Sequence, residues 1–199
     1  EILKKKPNSL TIIEKDLKLA ELLKLNYGSY KNVKILNDDI LSIKLEKMVK
    51  KDSIIYGNLP YNISSQILVK LIKFEKWPPL YTDLILMFQK ELAQKITGKF
   101  MSKNYGRISV LASYRLKLIN KFFVSANCFT PKPKVTSMVI HSIPKLKSKY
   151  RISNLHTLEK VTNIIFSKKR KMINKSIRNL LNDFQIKKIK NLKLNSRPT

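Results

Sequence analysis

Four residues at the end of a strand-like run, Asn58 to Tyr61 (NLPY), have the composition needed to hold an amino group. An amino group on an adenine ring is a poor nucleophile because its lone pair is delocalised. The Asn58 side-chain oxygen and the Leu59 carbonyl could accept its two N–H bonds and favour a pyramidal nitrogen. Pro60 would fix the backbone without adding a competing N–H, and Tyr61 could stack on the base. The alternative is a strand-ending turn with Tyr61 buried.

Acidic residues follow two other predicted strands. Glu14 follows LTII, and Asp38 and Asp39 follow VKIL. In open α/β sheets, ligands bind outside the carboxyl ends of the strands. Glu14 could accept hydrogen bonds from two ribose hydroxyls, and an aspartate could accept one from an adenine amino group, which would indicate an adenosine-containing cofactor. Taken singly, each carboxylate could instead be a solvated strand end or a helix cap. Because the cofactor would supply the electrophile, this chemistry needs no metal.

The elements that would position these residues alternate between short β-branched runs and amphipathic stretches, which predicts βαβ units and a mainly parallel sheet. The helix over SSQILVKLIKF has Ser64 or Ser65 available as its N-cap. LINKFFVSA and VTSMVIHSI are predicted to form a closing strand pair. The predicted strands are LTIIEKD, NVKILNDD, SIIYGN, TDLILMFQ and that closing pair, and the predicted helices are LKLAELLKL, SSQILVKLIKF, KELAQKI and GRISVLASY.

The composition favours a polyanionic partner, with nucleic acid as the first choice. The chain of 199 residues has 41 Lys and Arg against 13 Asp and Glu, a net charge of +28. An anionic membrane surface is the alternative partner, although no apolar run is long enough to cross a membrane. An AT-rich genome would also enrich lysine and is a second explanation of the charge.

A single cysteine, Cys128, indicates a reducing compartment, most simply the cytoplasm. His141 and His156 are far apart in the sequence, so we predict no metal site.

From Lys145 onward the chain carries 16 Lys and Arg against two Asp and Glu, which predicts a separate basic helical module. Lys168, Lys171, Lys175 and Arg178 are spaced three, four and three apart, so one α-helix would place them on one face. Such a face could contact RNA. The alternative is an ordinary solvated face.

Five segments, in this order and at this spacing, closely resemble the family of adenine dimethyltransferases that act on small-subunit ribosomal RNA. They are NLPYNISSQIL, FQKELAQKI, YGRISVLASY, FTPKPKVTSMVI and FSKKRKMINKSIRNLL. The resemblance implies an α/β, class I (Rossmann-like) methyltransferase domain over residues 1–144 and a small all-α, rRNA-binding domain over residues 145–199. It also implies that S-adenosylmethionine donates two methyl groups to each of two adjacent adenosines near the 3′ end of the rRNA. The expected partner is the immature small subunit, bound by a monomer and with no membrane involved.

The resemblance also assigns roles to residues. Glu14 corresponds to the ribose-binding acid and Asp39 to the adenine-contacting one, with Asp38 as the alternative. Asn58 to Tyr61 would form the amine-binding loop, and Asn58 would also line the cofactor site. Phe129, in FTPKPKV, is similar to a second aromatic residue that packs on the target base; the alternative is a core phenylalanine.

The chain departs from the family pattern before its first predicted strand. The glycine-rich loop and the strand that should precede EILKKKPNSLTIIEKD are not in the sequence, and its four glycines form no G-x-G. We therefore expect a truncated sheet that lacks its first strand, unpaired edges beside LTII and SIIYG, and weakened cofactor binding. A C-terminal helix after NSRPT is also expected to be missing.

Three alternatives to a dimethyltransferase of small-subunit rRNA stay open. They are a relative acting on large-subunit rRNA, an organellar relative, and a non-catalytic RNA-binding assembly factor.

Overall fold

A computed structural model describes residues 2–146, 152, 154–167, 172–178, 180–189 and 196–198. The chain divides into two compact units, Glu1–Met48 and Val49–Thr199. This division lies elsewhere than the domain boundary predicted after residue 144, which stays a prediction. Among the described residues, no helix is both long enough and apolar enough to cross a membrane.

The first unit is a βαβ segment followed by a short helix. Its strands pair in parallel, with Glu14 opposite Asn37. The Asp16 carboxylate accepts the Leu19 N–H at 2.9 Å and caps the first helix. At the other end of this helix, a side chain at Gly28 would lie 2.4 Å from the Lys24 carbonyl oxygen. The elements are β1 (Leu10–Glu14), α1 (Leu17–Tyr27), β2 (Val33–Asn37) and α2 (Leu45–Met48).

The second unit contains a four-stranded sheet with the order β3-β4-β6-β5. β3 and β4 are parallel, whereas β6 is antiparallel to both of its neighbours, so the predicted closing pair is confirmed. The elements up to the last strand are β3 (Ser53–Asn58), α3 (Ser64–Ile72), β4 (Tyr81–Gln89), α4 (Lys90–Ile96), α5 (Arg107–Arg115), β5 (Leu116–Val124) and β6 (Ser137–Pro144).

The core of this unit lies where helices cover one face of the central strands. Leu84, Leu86 and Phe88 of β4 are almost completely buried, as are Leu68 and Leu71 of α3. The helical period predicted for SSQILVKLIKF is therefore confirmed. The predicted N-cap is wrong: the helix begins at Ser64 after Ile63, and the Ser64 hydroxyl donates to the Tyr61 carbonyl at 3.1 Å. That bond ties the start of the helix to the NLPY loop.

The described strands form two sheets that share no strand ladder. β1 pairs only with β2, and β3 pairs only with β4. The expected unpaired edges at LTII and SIIYG are therefore confirmed for the part of the chain that the structure describes. Unpaired edges of this kind leave backbone N–H and C=O groups without ladder partners.

After the sheet, the described residues form the helices α6 (Leu155–Phe166), α7 (Ile173–Arg178) and α8 (Asp183–Lys188). The prediction of one helix carrying Lys168, Lys171, Lys175 and Arg178 is wrong, because α6 ends before this run and Met172 is not helical. Instead, α7 begins where the Ile173 N–H donates to the Ser196 carbonyl at 2.9 Å.

Candidate active site and family membership

The NLPY loop begins at the carboxyl end of β3, where Asn58 pairs with Met87 of β4. The Asn58 side chain is exposed. Among the residues that the structure describes, none is hydrogen-bonded to its amide. Downstream, the Pro60 carbonyl accepts the Ile63 N–H at 3.2 Å, which turns the chain into α3. The loop therefore presents an available amide oxygen at a strand end, as the amine-binding hypothesis requires.

Tyr61 is held at both ends. Its hydroxyl lies 2.6 Å from the Ser137 Oγ, and its carbonyl accepts the Ser64 hydroxyl. Ser137 is fully buried at the start of β6, opposite Gln89 at the carboxyl end of β4. The ring is half-buried, so Tyr61 is neither a core residue nor a freely rotating surface side chain. Such a fixed, partly accessible ring can form one side of a base-binding site.

The packing of the Leu59 side chain depends on Gly57, a residue that the sequence analysis did not identify. A side chain on Gly57 would lie 2.6 Å from Leu59 Cδ2 and 2.9 Å from Leu86 Cδ2. The absence of a side chain at Gly57 therefore leaves room for Leu59 to pack beside the sheet.

The acidic residues lie in the first unit, at the carboxyl ends of β1 and β2. Glu14 Oε1 accepts the Asp16 N–H at 2.8 Å; its Oε2 accepts no hydrogen bond from the described residues. Asn37 joins the two strand ends, because its Nδ2 donates to the carbonyls of Glu14 at 3.0 Å and Lys15 at 3.1 Å. The Glu14 carboxylate is therefore positioned and keeps an oxygen for a donor from outside.

Asp39 has more contacts with the protein. Its Oδ2 lies 2.7 Å from Lys15 Nζ, and its Oδ1 accepts the Leu41 N–H at 2.8 Å. Asp38, the alternative, is exposed, and its Oδ1 accepts the Asp39 N–H at 2.7 Å. The contacts with Lys15 and with the Leu41 N–H hold the Asp39 carboxylate in place.

The remaining predicted site residues lie in or after the second sheet. Phe129 is half-buried and follows a short 3₁₀ turn over Ala126–Cys128. Arg178 is exposed, with its Nη1 2.8 Å from Asp183 Oδ1. Lys168, Lys171 and the Lys175 side chain lie outside the described residues. Among those described, no three His, Cys, Asp or Glu side chains are grouped as metal ligands.

A comparison with protein families decides which family the chain represents. The model of the family described as ribosomal RNA adenine dimethylase matches residues 1–197. The chain belongs to the ribosomal RNA adenine dimethylase family. The resemblance inferred from the five sequence segments is confirmed, and it extends over nearly the whole chain.

Two curated relatives support this membership, both called ribosomal RNA small subunit methyltransferase A. The protein from Pelagibacter ubique is 40% identical over 174 residues, which cover 87% of this chain and 65% of the relative. The protein from Borreliella burgdorferi strain ZS7 is 38% identical over 181 residues, 91% of this chain and 62% of the relative. The chain thus spans under two thirds of the length of these relatives.

Solved structures confirm the predicted fold class. The crystal structure of a dimethyladenosine transferase from Plasmodium falciparum is 28% identical with a TM-score of 0.71, covering 85% of this chain and 59% of that one. The 23S rRNA methyltransferase ErmE is 21% identical with a TM-score of 0.63, covering 90% and 70%, and supports the fold alone. The chain has the α/β, Rossmann-like methyltransferase fold, and its described strands are divided between two sheets.

Proposed function

We propose that this chain transfers methyl groups from S-adenosylmethionine to the amino groups of two adjacent adenosines near the 3′ end of small-subunit rRNA. The observation that carries the proposal is the exposed Asn58 amide at the end of β3, in a chain of the dimethylase family. The proposed type of reaction follows from family membership, and the residues proposed to perform it lie in the NLPY loop.

In this mechanism the loop holds the nucleophile. Asn58 Oδ1 and the Leu59 carbonyl accept the two N–H bonds of the adenine amino group, which directs its lone pair away from the ring. Tyr61, fixed by Ser137, stacks on one face of the base, and Phe129 packs on the other. The sulfonium donor supplies an electrophilic methyl group when it is bound. Amide oxygens are weak bases, so the proton released from the nitrogen passes to water at this exposed loop.

The acidic residues fit the adenosine half of the donor. Glu14 Oε2 is available to a ribose hydroxyl, because Oε1 alone accepts the Asp16 N–H. Asp39, held in place by Lys15 and by the Leu41 N–H, is assigned to the adenine amino group, with exposed Asp38 as the alternative. The pairing of Asn37 with the Glu14 and Lys15 carbonyls keeps the two strand ends in register.

The charge of the chain supports RNA as the substrate. A net charge of +28, concentrated after residue 144, suits an extended phosphate backbone. We assign this contact to the basic segment with Lys168, Lys171, Lys175 and Arg178, acting as an rRNA-binding domain over residues 145–199 beside a catalytic domain over residues 1–144. The partner is the immature small ribosomal subunit, met in the cytoplasm by a monomer of this chain.

A second candidate is a non-catalytic RNA-binding assembly factor. It is favoured by one observation, the net charge of +28, which suits RNA binding whether or not methyl transfer takes place. Such a factor would bind the ribosomal particle and would not bind the donor.

Isothermal titration calorimetry with S-adenosylmethionine separates the two candidates. We expect binding heat with the chain, a loss of affinity of about tenfold or more in Glu14→Ala, and no change in Glu21→Ala, an exposed acid of α1. An absence of heat from a folded chain that still binds small-subunit rRNA would overturn the enzymatic proposal and favour the assembly factor.

A further inference from the structure

A cavity of about 490 Å³ lies in the second unit, between the helix-covered face of the sheet and the connection from α4 to α5. Its apolar floor includes Leu86, Leu118 and Ile140, which come from three different strands. Residues 97–100 line its other side. None of the residues Asn58 to Tyr61 lines it, nor does Phe129, so this cavity is separate from the candidate active site. Its volume lies within the usual range for sites that hold a small organic group.

The polar lining of the cavity is positively charged. Lys99, Lys117 and Lys145 line it, and none of the Asp and Glu residues that the structure describes does so. Lys145 Nζ donates to the Ser113 carbonyl at 2.5 Å, which fixes it at the α5 side. In the part of the chain that the structure describes, Lys99 and Lys117 have no ion-pair partner. An occupant would therefore combine an apolar body with an anionic group.

An exposed aromatic ring stands in the lining. Phe100 lines the cavity and is 69% exposed. The Tyr105 ring meets it edge-on, with centroids 5.6 Å apart and planes at 86°, and Tyr105 in turn contacts Phe166. The Phe100 ring is thus supported by one neighbour while most of its surface faces solvent. Exposed rings beside lysines are the usual platform for unpaired bases.

We propose that this cavity binds one unpaired nucleotide of the bound RNA, with the base against Phe100 and the apolar floor and its phosphate beside Lys99 and Lys117. The inference rests on the proposed function only in taking RNA as the partner. The nucleotide held here is a second one, different from the adenosine whose amino group meets Asn58. The cavity would therefore fix the strand on the protein without taking part in methyl transfer.

The test is photo-crosslinking and affinity measurement with a single-stranded RNA oligonucleotide that carries 4-thiouridine. Crosslinks are mapped by mass spectrometry, and affinity is measured by fluorescence anisotropy. The variants are Phe100→Ala, Phe100→Trp and Lys117→Ala. Matched controls are Phe122→Ala, a phenylalanine of β5 that is 54% exposed and does not line the cavity, and Lys34→Ala, an exposed strand lysine of the other unit.

We expect crosslinks within residues 97–105 or at Lys117. Phe100→Ala should weaken RNA binding about tenfold, Phe100→Trp should restore it, and Lys117→Ala should lower the salt dependence. The two controls should bind like the parent chain. Because Phe100 and Lys117 are exposed, the variants should unfold at the parent temperature.

Three outcomes would overturn the inference. The first is unchanged RNA affinity in both Phe100→Ala and Lys117→Ala, and the second is an equal loss in Phe122→Ala. The third is that Phe100→Ala abolishes binding to phosphatidylserine vesicles while RNA binding stays intact, which would indicate that the cavity binds a membrane surface.

This inference and the proposed function can fail separately. An Asn58→Ala chain should keep the crosslinks. Crosslinks at the cavity without donor binding would contradict the proposed function alone, and donor binding without these crosslinks would contradict this inference alone.

Discussion

The NLPY loop is held by a small network of hydroxyl groups. Tyr61 contacts buried Ser137 through its hydroxyl and Ser64 through its carbonyl, and these two bonds connect the loop to β6 and to α3. A loop that presents two acceptors to an amino group must keep them at a fixed separation, because a misplaced acceptor no longer favours the reactive geometry. We therefore infer that Ser137 is a positioning residue for the loop.

A double-mutant cycle tests that role. Tyr61→Phe and Ser137→Ala each remove the 2.6 Å hydroxyl contact and should each lower the free energy of unfolding by about 1 kcal/mol. The double variant should lose little more than either single one, because both delete the same bond. Chemical denaturation measures the three values. Fully additive losses would show that the two hydroxyls do not interact.

The position of the loop at a strand end could be predicted from the sequence because strand-ending signals are local. Asn58 and Pro60 indicate a strand end wherever the rest of the chain lies. Ser137 could not be found in this way, since it is 76 residues from Tyr61 in the sequence. The same holds for Gly57, whose importance comes from the positions of the Leu59 and Leu86 side chains. Contacts made through tertiary packing leave no local pattern.

At the scale of elements, one carboxylate joins three helices. Glu159 of α6 lies 2.8 Å from Lys73 Nζ at the end of α3 and 2.7 Å from Arg107 Nη2 at the start of α5. The hydrogen bond from Lys73 is the main cause that lowers the pKa of Glu159, with Arg107 contributing and burial opposing. This cluster fixes the first helix of the basic segment to the sheet-covering helices.

Replacing Glu159 by Gln should therefore destabilise the second unit at neutral pH by about 1 kcal/mol, since both cations are partly exposed to solvent. A carboxyl group whose pKa is lowered on folding stabilises the protein above its unfolded pKa, and this contribution is lost as the pH falls through the folded pKa. The difference in unfolding free energy between parent and Glu159→Gln should shrink on acidification. A difference independent of pH, or one equal to that of Glu21→Gln, would contradict the assignment.

The prediction of helices from the sequence succeeded where apolar periodicity supported it and failed where only the spacing of charged residues did. The period of SSQILVKLIKF placed Leu68 and Leu71 on the buried face, because burial of apolar area dominates in a core. The spacing of Lys168, Lys171 and Arg178 predicted one helix from charged residues alone. Met172, between Lys171 and Arg178, is not helical, and α6 and α7 are separate helices.

At the scale of the whole molecule, the dominant property is a positive charge of +28. A phosphate backbone that binds this surface releases its counterions, so affinity should fall steeply with salt. The fold alone does not require such a charge, because surface charge governs partners and solubility more than architecture. The higher density of positive charge after residue 144 is the reason that our proposal assigns the RNA contact to that segment.

Charge reversal at Lys171 and Lys175 should lower RNA affinity and flatten its salt dependence. Each lost phosphate contact should reduce the slope of log affinity against log salt by about 0.7 for single-stranded RNA. Lys18→Glu, an exposed lysine of α1, is the control for a general change in charge. Affinity measured across a salt series gives the slopes. If the double variant and the control have the same slope, these lysines form an ordinary solvated surface.

The central claim is that the Asn58 side-chain oxygen and the Leu59 carbonyl hold the adenine amino group for alkylation, and methyl transfer by Asn58→Ala tests it most directly. Transfer from radiolabelled S-adenosylmethionine to immature small-subunit particles is measured alongside RNA affinity. We expect the parent chain to transfer label and Asn58→Ala to transfer it about a hundredfold more slowly or not at all. The RNA affinity of Asn58→Ala should stay within about twofold of the parent, because the Asn58 amide carries no charge to pair with phosphate. Label transfer by Asn58→Ala at the parent rate would contradict the central claim.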